Sequence, residues 1–428
     1  MHIKQIEIEN FKILESIVIP FKQINIIVGK NNTGKTSILD AISLVFDDSL
    51  LNSYNRRREF GYLINYKTDQ GKVKVVFESS TSRSKTVVIE HLTITDITAE
   101  IKDQVRRFAS NINKKMENLK KEGINKSKEM PPKTKELDMV KLESFMDDFI
   151  NKLIDNKEIE RISKESIIIK RKKSNYIYFS NNFFDLILKL KEQIIETFIS
   201  ESSRYLGKNG IYFDLIESWP FMRINPRKSY TLKTAPIFVK NPIESLFTDR
   251  DENTQLVKIE REIEEMLMNE GIVPGLSRFG MKSILIKDEK GEHAVPMREM
   301  GDGFKALIGL IRKIKIAQKK QIILLEEPEV HMHPGYLMEL ARYITEISNK
   351  IDVQFFISTH SLDLIQYFLD NDVVGEDNTR FLNSNLEIVR LIRNLNNDKT
   401  SSKIRCDILN YEAATNEFNE LKLDLRGI

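Results

Sequence analysis

The sequence predicts an α/β fold in which a mixed sheet flanked by helices is split in the chain by a largely helical insertion. Three observations predict it. An apolar strand runs into a polar, glycine-bounded loop that opens a helix, in "INIIVGKNNTGKTSILDAI". Two later runs, "QIILLEE" and "VQFFIST", are short, apolar and bounded by polar residues, as parallel strands buried on both faces are. Between these regions, after about residue 100, apolar residues change from alternate spacing to three- and four-residue steps.

In chain order, residues 2–9 and parts of 17–28 alternate apolar and polar, which predicts strands leading into the loop at Gly29. "KVKVVFE" and "KTVVIEHLTI" are rich in β-branched residues and read as further strands. Val105, Phe108, Ile112, Met116 and Leu119 then share one helical face, with Gly123 as a C-terminal cap. "KSKEMPPKTKE" breaks the pattern as a proline-containing loop. Helical spacing resumes through Leu142, Phe145, Phe149 and Leu153, again from Phe183 to Phe198, and in "TQLVKIEREIEEMLMNEG", ended by Gly271. "SILIKDEKGEHAVPM" predicts a hairpin turning at Lys290-Gly291, and "AATNEFNELKLDLRGI" predicts a last helix. "FLDNDVV" reads as a loop. No internal repeat is present. The expected domains are residues 1–99 and 275–428 as the two parts of one α/β domain, with residues 100–274 as the insertion.

The formal net charge of the 428 residues is only +3, which gives no global case for a nucleic-acid binder. The charge is uneven, however: from Glu100 to Asn175, 20 Lys and Arg stand against 14 Asp and Glu. The ordinary meaning of such a run is a solvated helix face, and contact with a nucleic-acid backbone is the alternative. The single cysteine, Cys406, excludes an internal disulfide framework and fits a reducing compartment. The N-terminus opens on strand pattern without a signal-peptide core, and no apolar run is long enough to span a bilayer. A cytoplasmic protein without membrane contact is expected.

The chemistry concentrates in three places. Gly29-Lys30-Asn31-Asn32-Thr33-Gly34-Lys35-Thr36 satisfies G-x-x-x-x-G-K-[ST] without a mismatch, and Ser37 follows it. Glycines let successive backbone amides wrap phosphate oxygens, and the following helix aims its positive end at the same charge. Lys35 is expected to reach the β- and γ-phosphates of ATP, and Thr36 to offer a hydroxyl to Mg²⁺. Far downstream, "IILLEEPEVHMHP" ends a buried strand on Glu326 and Glu327. At the C-terminal edge of a parallel sheet the first carboxylate can hold the Mg²⁺ shell and the second can polarise a water for attack on the γ-phosphate. Third, "FFISTHSLDLI" delivers His360 at a strand end, where an imidazole can sense the γ-phosphate or the attacking water. His331 and His333 with Glu329 also invite a metal reading, although zinc sites want three or four assembled ligands.

Together these motifs resemble the ATP-binding-cassette type of ATPase found in SMC, RecF and overcoming-lysogenization-defect (OLD) proteins. The resemblance covers roughly residues 1–95 and 275–428. "EEPEVHMHP" is similar to the family's Walker B and D-loop, and "STHS" to its switch-histidine segment. Among subgroups, the short AAA ATPases of prokaryotic defence and toxin-associated operons look closest. The resemblance implies a P-loop ATPase head, ATP and Mg²⁺ as cofactors, and a homodimer or higher oligomer through the heads. It also implies a signature segment facing the other subunit's nucleotide, for which "REMGDGFKALIGLI" is the candidate, through Gly301, Asp302 and Gly303. Gly301 stands where transporters carry a serine, which argues against a transporter motor and against rapid turnover. Gln70 reads as a turn residue rather than the Q-loop glutamine.

The expected function is an ATPase that closes as a head-to-head dimer around ATP, hydrolyses it slowly and controls a separate effector, a nuclease or toxin, in anti-phage defence or a toxin-like system. The alternative is a RecF-like repair ATPase whose basic insertion grips nucleic acid. A self-contained OLD-type nuclease is disfavoured, because the residues after His360 are too few for a further domain of ordinary size.

Overall fold

The computed structural model describes residues 2–47, 51, 60–78, 84–121, 139–155, 157–172, 174–194, 236–244, 254–269, 271–317, 321–395 and 402–420. Gly123, the proline-containing loop at 126–136 and the ends of the segments expected to be helical near Phe198 and Ile428 lie outside these residues. Two compact units divide the chain. Residues 1–48, 72–86 and 230–428 make the first, and residues 49–71 and 87–229 the second.

The first unit opens with strands Ile3–Phe11 (β1), Leu14–Pro20 (β2) and Ile24–Gly29 (β3), followed by helix Lys35–Phe46 (α1). β1 pairs antiparallel with β2 and, on its other edge, with residues 72–77 of Gln70–Phe77 (β4). Their alternation buries Ile6, Ile8, Val73 and Val75 while Glu7 and Lys74 pair at 2.9 Å on the other face. The chain continues through Ile237–Val239 (β5), helix Thr254–Asn269 (α2) and a small antiparallel sheet of Leu276–Arg278 (β6), Ser283–Asp288 (β7) and Gly291–Pro296 (β8). Helix Asp302–Ile316 (α3) leads to Ile322–Glu326 (β9), helix Pro334–Ile351 (α4), Gln354–Ser358 (β10) and helix Leu362–Leu369 (α5). Leu386–Leu395 (β11) and Ser402–Asn410 (β12) complete the sheet.

That sheet has the order β12-β11-β3-β10-β9-β5. The five strands from β11 to β5 run parallel, and only the edge strand β12 is antiparallel. β3 and β10 are buried at every position, which is why they read as continuous apolar runs. The polar exceptions are satisfied locally. Asn25 Nδ2 donates to Phe355 O at 3.0 Å, and the Gln354 amide both accepts from Ile3 N at 2.7 Å and donates to Ile3 O at 2.8 Å. Ile26, Val28, Leu325 and Phe355 share one core with Leu307, Ile344 and Phe368 of the flanking helices. The parallel order carries the C-terminal ends of β3, β9 and β10 to one edge.

Three differences from the sequence reading stand out here. β5 and α2, expected in the insertion, belong to the first unit, where Ile259, Ile263 and Leu267 join its core. The four-residue spacing of those residues marks a helix but does not say what covers it. The β11–β12 pair was not anticipated, and "FLDNDVV" is not a plain loop. It holds a short helix, Asn371–Val374, capped by Asp370, whose Oδ1 accepts from Asp372 N at 2.9 Å.

In the second unit, residues 87–91 of the strand Ser84–His91 pair antiparallel with Ile167–Arg171, which in turn pairs with Ser174–Tyr178. Helices Ile94–Lys121, Met139–Asp155, Glu158–Glu165 and Asn181–Ile194 cover a separate core. Val105, Phe108, Leu142, Met146, Phe183 and Leu190 are buried in it, and the Phe179 and Phe183 rings stack at 4.1 Å between centroids. The unit is therefore largely helical; the strand in "KTVVIEHLTI" was expected, whereas Ile167–Arg171 and Ser174–Tyr178 were not. Among the described residues no helix is long and apolar enough to cross a membrane.

Candidate active site

The loop after β3 is shaped by close approach. Gly29 has φ 149° and Gly34 φ 99°, and a Cβ added at either would come within 2.6 Å of another group, Leu391 O at Gly29 and Leu14 Cδ2 at Gly34. Only glycine fits both positions, which draws the main chain into a tight cradle. Thr33 Oγ1 braces it by donating to Lys30 O at 2.8 Å. Asn32, at φ 59°, turns the loop toward α1.

α1 starts without a side-chain cap at Gly34 and without an acidic residue in its first turn. Its first amides and the positive end of its dipole are thus left for an anion. Lys35 is buried, and its Nζ donates to the loop's own carbonyls, Gly29 O at 3.0 Å and Lys30 O at 3.2 Å. Burial pushes the Lys35 ammonium below the usual lysine value, and the charges of Glu327 and Glu329 oppose that shift.

The carboxylates arrive from β9. Thr36 Oγ1 donates to Glu326 Oε1 at 2.6 Å, so a hydroxyl and a carboxylate already stand together as hard oxygen donors suited to Mg²⁺. Glu327, the next residue, sits at φ 45° and donates its N–H to Ser358 O at 2.9 Å. That kink turns its side chain out of the strand direction, and Oε1 lies 3.2 Å from His360 Nε2. Asn31, Asn32, Gly34, Lys35, Thr36, Ser37, Glu327 and His360 line one cleft of ≈ 480 Å³, together with Lys12 and Ile13. Gly29, Lys30 and Thr33 build its cradle from behind, and Glu326 enters through Thr36.

Gly301, Asp302 and Gly303 are not among the residues lining this cleft. Gly301 caps α3 without a side-chain hydrogen bond, and a Cβ there would meet nothing within 4 Å. Gly303 is a packing glycine, because a Cβ there would lie 2.6 Å from His331 O. Asp302 pairs with Lys305 at 2.7 Å, which holds its carboxyl below the usual range. His333 caps α4, its Nδ1 accepting from Gly335 N at 3.2 Å ahead of Pro334. Among the described residues no group of three His, Cys, Asp or Glu is placed to hold a metal ion.

Lys12, Asp40 and Lys240, all near the site, escaped the sequence reading, and Glu329, read there only as a metal candidate, has another role. Glu329 Oε1 accepts from the His360 main-chain N–H at 2.7 Å and so fixes the entry to the switch segment. Asp40, one turn beyond Thr36 on α1, is almost wholly buried and pairs with Lys12 and, at 2.9 Å, with Lys240. Lys240 Nζ also stands 3.9 Å from Glu326 Oε2. A lone acid in the apolar run "SILDAI" was the available signal for Asp40. Nothing local marks Lys240, which follows a three-residue strand.

Known proteins place these features in a family. A provisionally named ABC transporter ATP-binding protein of Clostridium acetobutylicum is 25% identical over 117 residues, covering 26% of this chain and 42% of that protein. An uncharacterized protein of Methanocaldococcus jannaschii is 32% identical over 72 residues, covering 17% of this chain and 62% of its own length. The chain thus spans less than two thirds of either relative. Among solved structures, the SMC head domain from Thermotoga maritima aligns over 95% of this chain and 98% of its own, at 14% identity and a TM-score of 0.40. The model of the AAA ATPase domain matches residues 1–365, and the chain belongs to that family.

Proposed function

We propose that the chain binds ATP with Mg²⁺ and hydrolyses it slowly, closing as a head-to-head dimer around the nucleotide to control a separate effector. One observation carries the reading. An uncapped helix start with a buried lysine, a Thr36–Glu326 pair and a Glu327–His360 pair converge on the ends of three adjacent parallel strands.

The residues divide the work as follows. The glycine cradle and the first amides of α1 hold the phosphates, and Lys35 exchanges the carbonyls of Gly29 and Lys30 for phosphate oxygens. Thr36 and Glu326 would hold Mg²⁺, which would supply positive charge against the phosphates. Glu327 accepts a proton from the attacking water, and His360 orients Glu327 through Nε2. Glu329 keeps His360 in reach. Gly301, Asp302 and Gly303 serve a nucleotide held by a second copy, a role supported by the open space in front of Gly301 and its uncapped helix start.

The effector, a nuclease or toxin in a defence system, would act through the second unit, which has its own core and, among the described residues, supplies none that lines the nucleotide cleft. The excess of Lys and Arg between residues 100 and 175 favours a second reading, a RecF-like DNA-binding ATPase. Salt-dependent DNA binding by the purified chain would support it.

Glu327→Gln tests the proposal. This variant should keep ATP binding and lose hydrolysis by about two to four powers of ten, because an amide cannot take the proton from water. Size-exclusion chromatography with ATP should show it as a dimer. Surviving turnover, with Glu326→Gln alone inactive, would reverse the two carboxylate roles, and a monomer in saturating ATP would remove the dimer.

A further inference from the structure

The second unit holds a cleft of ≈ 660 Å³ for which the ATPase reading has no use. It opens at the start of helix Asn181–Ile194, with Ser180 in its wall. Ser180 is 1% exposed, its N–H donates to Ser166 Oγ at 3.0 Å, and its own Oγ has no partner. A serine ahead of a helix ordinarily spends its oxygen on the second or third helical amide. Here a buried hydroxyl stands orphaned beside a helix start, an arrangement that natural proteins avoid unless something else meets it.

A second orphan lines the same cleft. His91 Nδ1 is buried without a partner, although the residue's main-chain N–H is satisfied by Asp69 O at 3.1 Å. Burial holds the His91 imidazole below its usual value, against the opposing charge of Asp69 and a hydrogen bond with the Ser166 main chain. Lys67 and Lys164 bring cations to the cleft, Lys164 with its Nζ donating to Glu160 Oε1 at 2.9 Å. Asp69 and Glu165 oppose them, but Glu165 is engaged by Asn182 Nδ2 at 2.5 Å. Tyr62 and Tyr66, residues 71% and 87% exposed, complete the wall, with Lys67 Nζ 5.7 Å from the Tyr66 ring centroid. Their segment is seated by Gly61, where a Cβ would lie 2.4 Å from Lys164 O.

We propose that this cleft binds a nucleotide unit, with Ser180, the helix start and the two lysines taking the phosphate and the exposed tyrosines stacking on the base. His91 Nδ1 then meets a polar group of the sugar or base. A free mononucleotide and a nucleotide within a single strand share this chemistry.

The test uses the full chain carrying Lys35→Ala, so that the first unit's own nucleotide loop does not contribute. Titration calorimetry with AMP and UMP probes the free source. Fluorescence anisotropy with a labelled, short single-stranded oligonucleotide probes the strand. At least one probe should bind, and Ser180→Ala or the exposed pair Tyr66→Ala with Lys67→Ala should each weaken it roughly tenfold or more, as loss of a stacked base or phosphate contact does. Binding of AMP or UMP identifies the free nucleotide as ligand, and binding of the oligonucleotide alone identifies the strand. Binding that survives both sets of substitutions, or no binding to either probe, overturns the proposal. ATP hydrolysis in the Lys35-containing background should be unchanged by Tyr66→Ala with Lys67→Ala.

Discussion

The two units put their regular structure to different ends. In the first, polar side chains from three separate stretches meet at strand ends, within 2.6 to 3.2 Å of one another. In the second, helices bury apolar stripes, and the ion pairs are surface ones such as Arg106 with Glu143 at 3.1 Å, where both partners are about half exposed. Such pairs contribute little to stability. The comparison teaches that the first unit is constrained atom by atom, whereas the second is constrained mainly by which residues are apolar.

The sharpest break in that comparison is Lys35→Ala. It removes the cation buried in the phosphate loop, so calorimetry on a chain that also carries Ser180→Ala and Tyr66→Ala with Lys67→Ala, to silence the second unit's cleft, should detect no ATP binding, while the second unit's fold is untouched. Tight ATP binding by this variant would mean that the cradle is not the nucleotide site. A core substitution in the other unit should do the opposite. Phe183→Ala deletes a fully buried ring stacked on Phe179 and should cost about 3–5 kcal/mol. Scanning calorimetry should show an early transition, with ATP affinity below that temperature retained. Loss of ATP affinity in step with the melting would show that the two cores do not fold separately.

The smallest effect concerns the one cysteine. Cys406 lies on β12, and burial, with Asp407 and Glu387 adding to it, pushes its thiol up to about 12. At pH 8 the thiolate is then scarce in the folded chain, so alkylation followed by mass spectrometry should be far slower than in urea-unfolded protein. Equal rates would mean that the first unit's edge strand opens freely.

The nucleotide loop, Glu326, Glu327 and His360 were legible because each lies within a short run whose spacing has a chemical meaning. Gly29 and Gly34 are the clearest case, since the conformation they need excludes other residues. Glu329, Asp40 and Lys240 were not legible as a group. Their partners lie 31 and 200 residues away, for the Glu329–His360 and Asp40–Lys240 contacts, and no local pattern encodes such a meeting. The same reason misassigned α2, whose stripe fixed a helix but not its neighbour. The strands Ile167–Arg171 and Ser174–Tyr178 were a different failure. Their β-branched and aromatic run was visible in "SIIIKRKKSNYIYF", but the surrounding helical periodicity dominated the reading.

Glu327 carries a cost that its chemistry conceals. A non-glycine residue at φ 45° is held in a conformation it disfavours by roughly 1 kcal/mol or more, and its N–H to Ser358 O keeps it there. Glycine at this position would relax the backbone and remove the carboxylate together. Heat resistance and hydrolysis therefore pull this codon in opposite directions. A lineage released from the need to turn over ATP would be expected to lose glutamate here early, and to gain thermal stability as it did so.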